Sequence, residues 1–290
     1  MDEVANPGEP TAVGHVVAAV GRWPDDQVVV ERAAAEAGSR GVQLTLLHVD
    51  EGLEGPAAGH AGAHVDESSQ ALVDASTWAR RAVPDVHCRT AVLAGPIAMG
   101  IIGMSRTARL VVLGSEGASP LVKLARGAVT SDVAARSHCP VEVVPRNTDE
   151  DLPVRPPTRV VALVREHAEL EDLVPTALAE AARCELPLAI LHSAGDTAPA
   201  ERENLREQLR SDIARWRRRF PTVPTDVVVV PGHAPVAISG LLGRGDIVAL
   251  VRRQSATFWG RPDRDTRALL DEHVCRVLVL PMREHDRTTA

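Results

Sequence analysis

The first half of the chain alternates short apolar runs with longer stretches of helical periodicity. The run HVVAAV at residues 15–20 ends in a Gly/Pro/Asp turn, which is typical of a strand buried on both faces of a parallel sheet. Residues 26–39 follow with a helical period. The alternation continues with strands predicted at 44–49, 86–93, 109–113 and 141–144, and helices predicted at 96–105 and 127–137. This order indicates right-handed crossovers and a mainly parallel sheet with helices on both faces.

The second half repeats the same order of signals. Strands are predicted at 159–164, 188–191, 226–230, 247–251 and 277–280, and helices at 170–183, 201–219 and 266–274. In the helix 201–219 an apolar stripe that includes Leu209 and Ile213 is expected to pack on its own sheet. Two pairs of similar segments mark the repeat: LTLLHV with LAILHS, and HCPVEVVP with VCRVLVLP. Duplication predicts an α/β protein with two doubly wound, mainly parallel five-stranded sheets in tandem, each flanked by helices.

A proline-rich polar segment, PRNTDEDLPVRPP, separates the two repeats at the midpoint of the chain. It lacks periodicity, which is typical of a linker. We therefore expect a first domain at residues 13–146, a linker at 147–157 and a second domain at 158–283. Residues 1–12 are predicted to be a disordered tail, and residues 284–290 a second tail.

Composition narrows the classes of function. The chain is 44% hydrophobic and 24% charged, which is typical of a globular protein, and no run approaches the ~18 apolar residues of a membrane helix. Without a visible secretory signal, a cytoplasmic location is expected, with no membrane partner. The net charge of −7 gives no reason to expect a nucleic-acid partner. The four cysteines stand far apart without a CxxC pair, so neither a metal site nor a disulfide framework is expected.

Several segments together resemble the universal stress protein family. They are LLHV at residues 46–49, GPIA at 95–98, VVLGS at 111–115 and HCPV at 138–141. Gly114, Gly117 and Gly127 also fit the family's spacing of a glycine, two residues, a glycine, nine residues and a glycine. The resemblance is strong up to residue 145 and weaker from residue 158 onward. It implies a tandem member with an adenine nucleotide alpha hydrolase-like fold in each half.

The resemblance implies an adenine-nucleotide site in the first half. In a doubly wound sheet, ligands bind outside the carboxyl ends of the strands at the point where strand order reverses. A glycine-rich loop there lets backbone N–H groups approach phosphates, and the next helix offers its N-terminal amides. The ligand would be ATP or AMP, with Mg²⁺ beside a triphosphate. The residues that the resemblance assigns to this site are Val20, Gly21, Val49, Gly114, Gly117, Gly127, Ala128 and Thr130.

The first half departs from the family's pattern at three places. Members that bind ATP have an aspartate at the end of the first strand, but Val20 or Gly21 stands there, and the nearest acid is Asp25. Glu116 lies between the first two glycines, where a carboxylate beside a triphosphate would cost a few kcal/mol. The expected hydroxyl after Gly127 is replaced by Ala128, which leaves Thr130 as the substitute.

The second half departs further from that pattern. Alignment of Cys139 with Cys275 places Leu250 and Arg253 where the loop glycines should be, and Asp263 at the start of the helix. Because bulky side chains and an acid replace the phosphate cradle, no nucleotide is expected there. The second half is expected to be a degenerate partner for the first.

Individual histidines, cysteines and arginines have structural interpretations. His48 is expected to bond to backbone inside a strand, and His138 and Cys139 are expected to serve the end of a helix. The arginines at 215–219 are interpreted as a solvated helix face. The three loop glycines could equally serve only to turn the chain.

Three functional hypotheses remain open. The leading one is a stress-response regulatory protein that senses an adenine nucleotide and is not an enzyme, because no catalytic motif such as GxSxG or HExxH occurs. The second is a ligand-free interaction module. Its last strands, 141–144 and 277–280, would pair across a homodimer or with each other, and its protein partner is unknown. The third is a nucleotide-processing enzyme of the wider adenine-binding α/β group.

Overall fold

We describe the protein from a computed structural model that covers residues 14–51, 61–115, 129–146, 156–232, 240–253, 263–272 and 275–281. The first half alternates strands and helices as predicted. Its elements are β1 (Val16–Ala19), α1 (Gln27–Arg40), β2 (Leu44–Asp50), α2 (Ala61–Ala82), β3 (Cys88–Ala94), α3 (Ile97–Met104), β4 (Leu110–Gly114), the helical residues 129–136, which we call α4, and β5 (Val141–Val144).

The second half has the same order of elements. They are β6 (Arg159–Val164), a 3₁₀ turn (His167–Glu169), α5 (Leu170–Cys184), β7 (Leu188–Ser193), α6 (Pro199–Arg217), β8 (Thr225–Val230), β9 (Asp246–Val251), α7 (Arg264–Glu272) and β10 (Arg276–Leu280). Most predicted bounds agree to within two residues. The helix predicted at 201–219 spans Pro199–Arg217. It begins two residues earlier because Pro199 suits the first helical position, where its missing N–H has no partner to lose.

All ten strands belong to one sheet, in the order β3-β2-β1-β4-β5-β10-β9-β6-β7-β8. Every neighbouring pair is parallel except β5 with β10, which is antiparallel with Val143 opposite Val277. The predicted α/β class is confirmed, and the two expected five-stranded sheets are the halves of this continuous sheet. In each half the strand order reverses beside the first strand, at β1 and β4 and again at β6 and β9.

Helices cover both faces of the sheet. Along β1, Val16 and Ala18 pack on the side of α1, α2, α5 and α6, while Val17 packs on the side of α3, α4 and α7. This alternation explains why the strands are apolar without interruption. The predicted stripe on α6 is confirmed, because Leu209 and Ile213 are buried against the sheet. None of the described helices combines the length and the apolar character needed to cross a bilayer.

A buried cluster of charges covers the boundary between the two halves. Glu142 of β5 is 2% exposed and accepts a hydrogen bond from Arg32 Nε of α1 at 2.7 Å. Arg32 Nη2 also donates to Glu180 of α5 at 3.0 Å. Glu36 of α1 is fully buried and pairs with Arg183 of α5 at 2.5 Å. Contacts from α1, α5 and β5 thus join the halves across the paired strands.

Burial and the neighbouring charges both shift pKa values in this group of residues, which we call the interdomain charge cluster: Arg32, Glu36, Glu142, Glu180 and Arg183. Burial and the nearby Glu142 carboxylate raise the pKa of Glu36 above its ordinary value. Burial alone would also raise the pKa of Glu180, but the hydrogen bond and the charge of Arg183 outweigh it, and the pKa is lowered. For Arg32, the attraction of Glu142 and Glu36 outweighs burial and raises the pKa. Each charge in the cluster therefore depends on its partners for compensation.

We predict that Arg32→Met strongly destabilises the protein, because, among the described residues, Glu142 then keeps only Arg276 at 3.6 Å, and the buried Glu36 and Glu180 each lose one of their cations. The free energy of unfolding should fall by about 3–5 kcal/mol, measured by urea denaturation followed by tryptophan fluorescence. The matched control is Arg210→Met on α6, whose pair with Glu207 spans 3.4 Å between side chains that are 40% and 75% exposed. That change should cost less than about 1 kcal/mol. Equal losses in the two variants would contradict the role given to the cluster.

Candidate ligand-binding site

A cavity of about 310 Å³ opens at the carboxyl ends of β1, β2 and β4. It lies where the strand order of the first half reverses, which is the position at which doubly wound sheets bind ligands. Its lining comes from the three strand ends, from α3, from α4 and from Arg146 after β5. The lining residues are Ala19, Val20, Gly21, Arg22, Leu47, His48, Val49, Asp50, Glu51, Ile97, Ile101, Leu113, Gly114, Val129, Thr130 and Arg146.

Five of the eight residues assigned from the sequence line this cavity. Val20 and Gly21 follow β1, Val49 lies in β2, Gly114 ends β4, and Thr130 belongs to α4. The other three, Gly117, Gly127 and Ala128, lie outside the described residues. The structure therefore brings together every predicted site residue that it describes.

One side of the cavity is apolar. Leu47 and Val49 of β2 meet Ile97 and Ile101 of α3 there, and Leu113 of β4 continues the surface. These side chains belong to the core on the α3, α4 and α7 face of the sheet, which fixes their positions. Such a surface suits the flat face of an aromatic base.

Asp26 provides the acid that the sequence did not place at the end of β1. Its side chain is fully buried, and Oδ2 accepts hydrogen bonds from the N–H groups of Gly21 at 2.8 Å and Arg22 at 2.9 Å. Asp25, the acid expected nearest the site, is 56% exposed and lies 3.9 Å from Arg22. That expectation was wrong because the turn at residues 21–26 folds back on itself. It brings Asp26, the residue directly before α1, to the end of β1 and leaves Asp25 at the surface.

Arg146 brings a cation to the cavity that sequence reasoning also missed. Its Nε donates to Asp26 Oδ1 at 2.8 Å, and its Nη2 approaches the same oxygen at 2.5 Å. The guanidinium packs against Gly114 so closely that a Cβ on that glycine would meet Nε at 2.3 Å. A larger residue at position 114 would therefore displace the guanidinium of Arg146 from its present position. Only the position of Asp26 at the start of a helix could have been noticed in the sequence.

His48 has the structural role expected from the sequence. Its Nδ1 lies 2.8 Å from the carbonyl oxygen of Val20, so the ring ties the end of β1 to β2. In the second half, His192 makes the same contact with Val164, also at 2.8 Å. These matching contacts confirm the interpretation of His48 and identify Val20 and Val164 as equivalent positions.

The sheet register corrects the alignment of the two halves by one residue. Gly114 pairs with Val144, and Leu280, the equivalent of Val144, pairs with Val251. Val251 and not Leu250 therefore stands where the first loop glycine would be. The error came from aligning across the segment between the strands, where the halves differ in length by one residue.

Arg165 fills the corresponding place in the second half. It follows Val164 as Gly21 follows Val20, and its side chain is only 4% exposed. Nη1 donates to Asp263 at 2.8 Å, Nη2 lies 3.2 Å from Glu169, and Nη2 also donates to the carbonyl of Val251. A bulky charged side chain thus occupies the strand ends that surround the cavity in the first half.

The two acids that hold Arg165 respond differently to burial. Burial raises the pKa of Glu169, and the Arg165 charge only partly opposes this. Burial alone would raise the pKa of Asp263 too, but hydrogen bonds from Thr266 and the charge of Arg165 outweigh it, and the pKa is lowered. Asp263 precedes α7 and accepts the N–H of Thr266 at 3.0 Å, so it also caps that helix.

Cys139 is a core residue in this structure. It is 6% exposed, its thiol donates to the carbonyl of Pro140 at 3.4 Å, and burial raises its pKa to about 11. The backbone N–H of the exposed His138 donates to the hydroxyl of Ser105 at 2.9 Å. Within the described part of the chain, no group of three or more His, Cys, Asp or Glu residues could hold a metal ion.

Residues 13–145 match the model of the universal stress protein family, so the first half of the chain carries a domain of that family. It is 27% identical to a universal stress protein of Mycobacterium tuberculosis over 81% of this chain and 89% of that protein, so the similarity includes residues of both halves.

Solved structures share the fold over most of the chain. A universal stress protein from Archaeoglobus fulgidus superposes with a TM-score of 0.70 at 14% identity, covering 93% of this chain and 99% of that one. One from Pseudomonas aeruginosa gives a TM-score of 0.62 at 14% identity, covering 93% and 94%.

We predict that Cys139 resists alkylation in the native protein. With its pKa raised to about 11, only about one thiol in a thousand is ionised at pH 8, and the side chain is buried as well. Mass spectrometry after treatment with iodoacetamide should find Cys139 unmodified in buffer and fully modified in urea. Rapid labelling of Cys139 in buffer would show that this segment opens or that the thiol is activated.

Proposed function

We propose that this chain is a stress-response regulatory protein that binds one adenine nucleotide in its first half. The observation that supports this most is the cavity at the carboxyl ends of β1, β2 and β4. Its volume of about 310 Å³ is at the lower end of the range for small-molecule sites, and it combines an apolar side with a few polar groups. An extended ligand with an apolar ring and a charged end matches that division.

The base and the phosphate have different positions in this proposal. The ring lies between Val20, Val49 and the α3 side chains, on the apolar side of the cavity. The phosphate lies beside Gly114, Thr130 and Arg146, because these residues offer backbone approach, a hydroxyl and a cation. Both AMP and ATP accompanied by Mg²⁺ fall within this proposal.

We infer that the protein acts by binding and not by catalysis. Of the groups near the cavity that could act as a base, His48 contacts the Val20 carbonyl, and Asp26 holds two N–H groups and Arg146. The two carboxylates of the lining are also engaged, because Glu51 accepts the N–H of Ile97 at 3.4 Å and Asp50 has a partner as well. A general base must be able to reach a proton of the substrate. Incubation with ATP should therefore give no product faster than the rate without protein. The cytoplasmic location stays a prediction from the sequence.

The second candidate is an interaction module that pairs through its last strands. In this structure β5 lies between β4 and β10, and β10 lies between β5 and β9, so neither is an edge strand. This arrangement favours pairing of the two halves with each other over a homodimer formed through these strands, because an edge is needed to add another strand. A protein partner, if one exists, would need a different surface.

We predict one nucleotide site per chain. Calorimetric titration of nucleotide-stripped protein with AMP, and with ATP and Mg²⁺, should fit a stoichiometry near one, because Arg165 occupies the equivalent place in the second half. Two equivalent sites per chain would contradict the role given to Arg165. Absence of binding to every adenine nucleotide tested would refute the proposed function.

We predict that Thr130→Glu weakens nucleotide binding by at least about tenfold, because a carboxylate at the phosphate end repels the ligand. The matched control is Ser131→Glu, which adds the same charge one residue along α4 but outside the cavity lining. Its affinity for AMP should stay within about threefold of the unmodified protein, since a charge outside the lining lies further from the phosphate and is partly screened. Equal losses in the two variants would mean that α4 does not border the ligand.

A further inference from the structure

The cavity holds one cation that a buried acid fixes in place. Asp26 is fully buried, and its two oxygens accept Gly21 N–H, Arg22 N–H and the Arg146 guanidinium. Arg146 uses Nε and Nη2 in this contact, which leaves Nη1 without a partner among the described residues. Since Arg146 lines the cavity and its side chain is 20% exposed, a free edge of its guanidinium is available to a ligand.

The other charges at the cavity do not add a second fixed cation. Arg22 is 65% exposed and its nearest charge is Asp25. Asp50 and Glu51 bring two carboxylates to the lining. Counting Asp26 behind Arg146, the described ionisable groups are two cations and three acids, a balance of −1. Because this balance is already negative, each negative charge that a ligand adds beyond the phosphate held by Arg146 increases the repulsion.

We propose that Arg146, positioned by Asp26, binds the phosphate of the ligand and makes the cavity selective for a nucleoside monophosphate over a triphosphate. This inference rests on the proposed function, because it concerns the same cavity. A guanidinium binds a phosphate through two parallel hydrogen bonds, and one fixed guanidinium matches one phosphate group. Because Asp26 has set the orientation before binding, little side-chain freedom is lost when the ligand arrives.

The test compares AMP, adenosine and ATP without Mg²⁺ by calorimetric titration. The informative quantity is the dissociation constant of adenosine divided by that of AMP, since adenosine lacks only the phosphate. For the unmodified protein this ratio should be about 10 to 100, which is the range for a charge-assisted hydrogen bond. AMP should also bind more tightly than ATP. Tighter binding of ATP without Mg²⁺ would overturn the selectivity.

Arg146→Met should reduce the ratio to near one while the affinity for adenosine stays the same. Because this variant leaves the buried Asp26 without its cation, the double variant with Asp26→Asn and Arg146→Met is measured too, and it should show the same reduced ratio in a better-compensated fold. The control is Arg106→Met, which removes a cation from an exposed position outside the cavity and should keep the full ratio.

Two different results would refute two different statements. If the unmodified protein binds neither adenosine, AMP nor ATP, the proposed function itself fails. If it binds AMP and the folded variants keep the ratio of the unmodified protein, the site stands and the role of Arg146 is wrong.

Discussion

Glu142 stands on β5 at the boundary between the two halves, and a carboxylate buried there requires cations from both sides. Arg32 reaches it from α1 of the first half, and Arg276 approaches it from β10 of the second at 3.6 Å. The strand on which Glu142 lies is also the strand that pairs with β10. The halves are thus joined by backbone hydrogen bonds within the sheet and by buried charges above it. Removal of one partner from such a cluster costs far more than a surface pair would.

The helix α1 connects this boundary with the cavity. Asp26 directly precedes α1 and holds Arg146, while Arg32 and Glu36 lie one and a half to three turns further along the same helix in the interdomain charge cluster. The strand β5 carries Glu142, and Arg146 follows directly after its carboxyl end. The site and the junction therefore share two rigid elements, and the position of one constrains the other.

The two halves place different side chains at the same point of one fold. The histidine contacts at His48 and His192 are the same. The two halves also have equivalent strand orders when each is followed outward from the β5–β10 pair. The difference begins at one position, where Gly21 leaves space and Arg165 fills it. Arg165 then requires Glu169 and Asp263 as partners, because a buried guanidinium without acids would be costly.

The sequence by itself determined the elements, the duplication and the family. Apolar periodicity and repeated segments depend on neighbouring residues, so they predicted nearly every strand and helix. The resemblance carried by those segments also predicted five of the residues that line the cavity, including Gly114 and Thr130. The sequence could not place Asp26 beside Arg146, 120 positions away, or show that Arg165 occupies the equivalent position in the second half. Those contacts arise only when the sheet brings distant strand ends together. The tertiary structure alone decided the charges of the cavity and the joining of the two half-sheets, because both depend on pairing between residues that no local pattern connects.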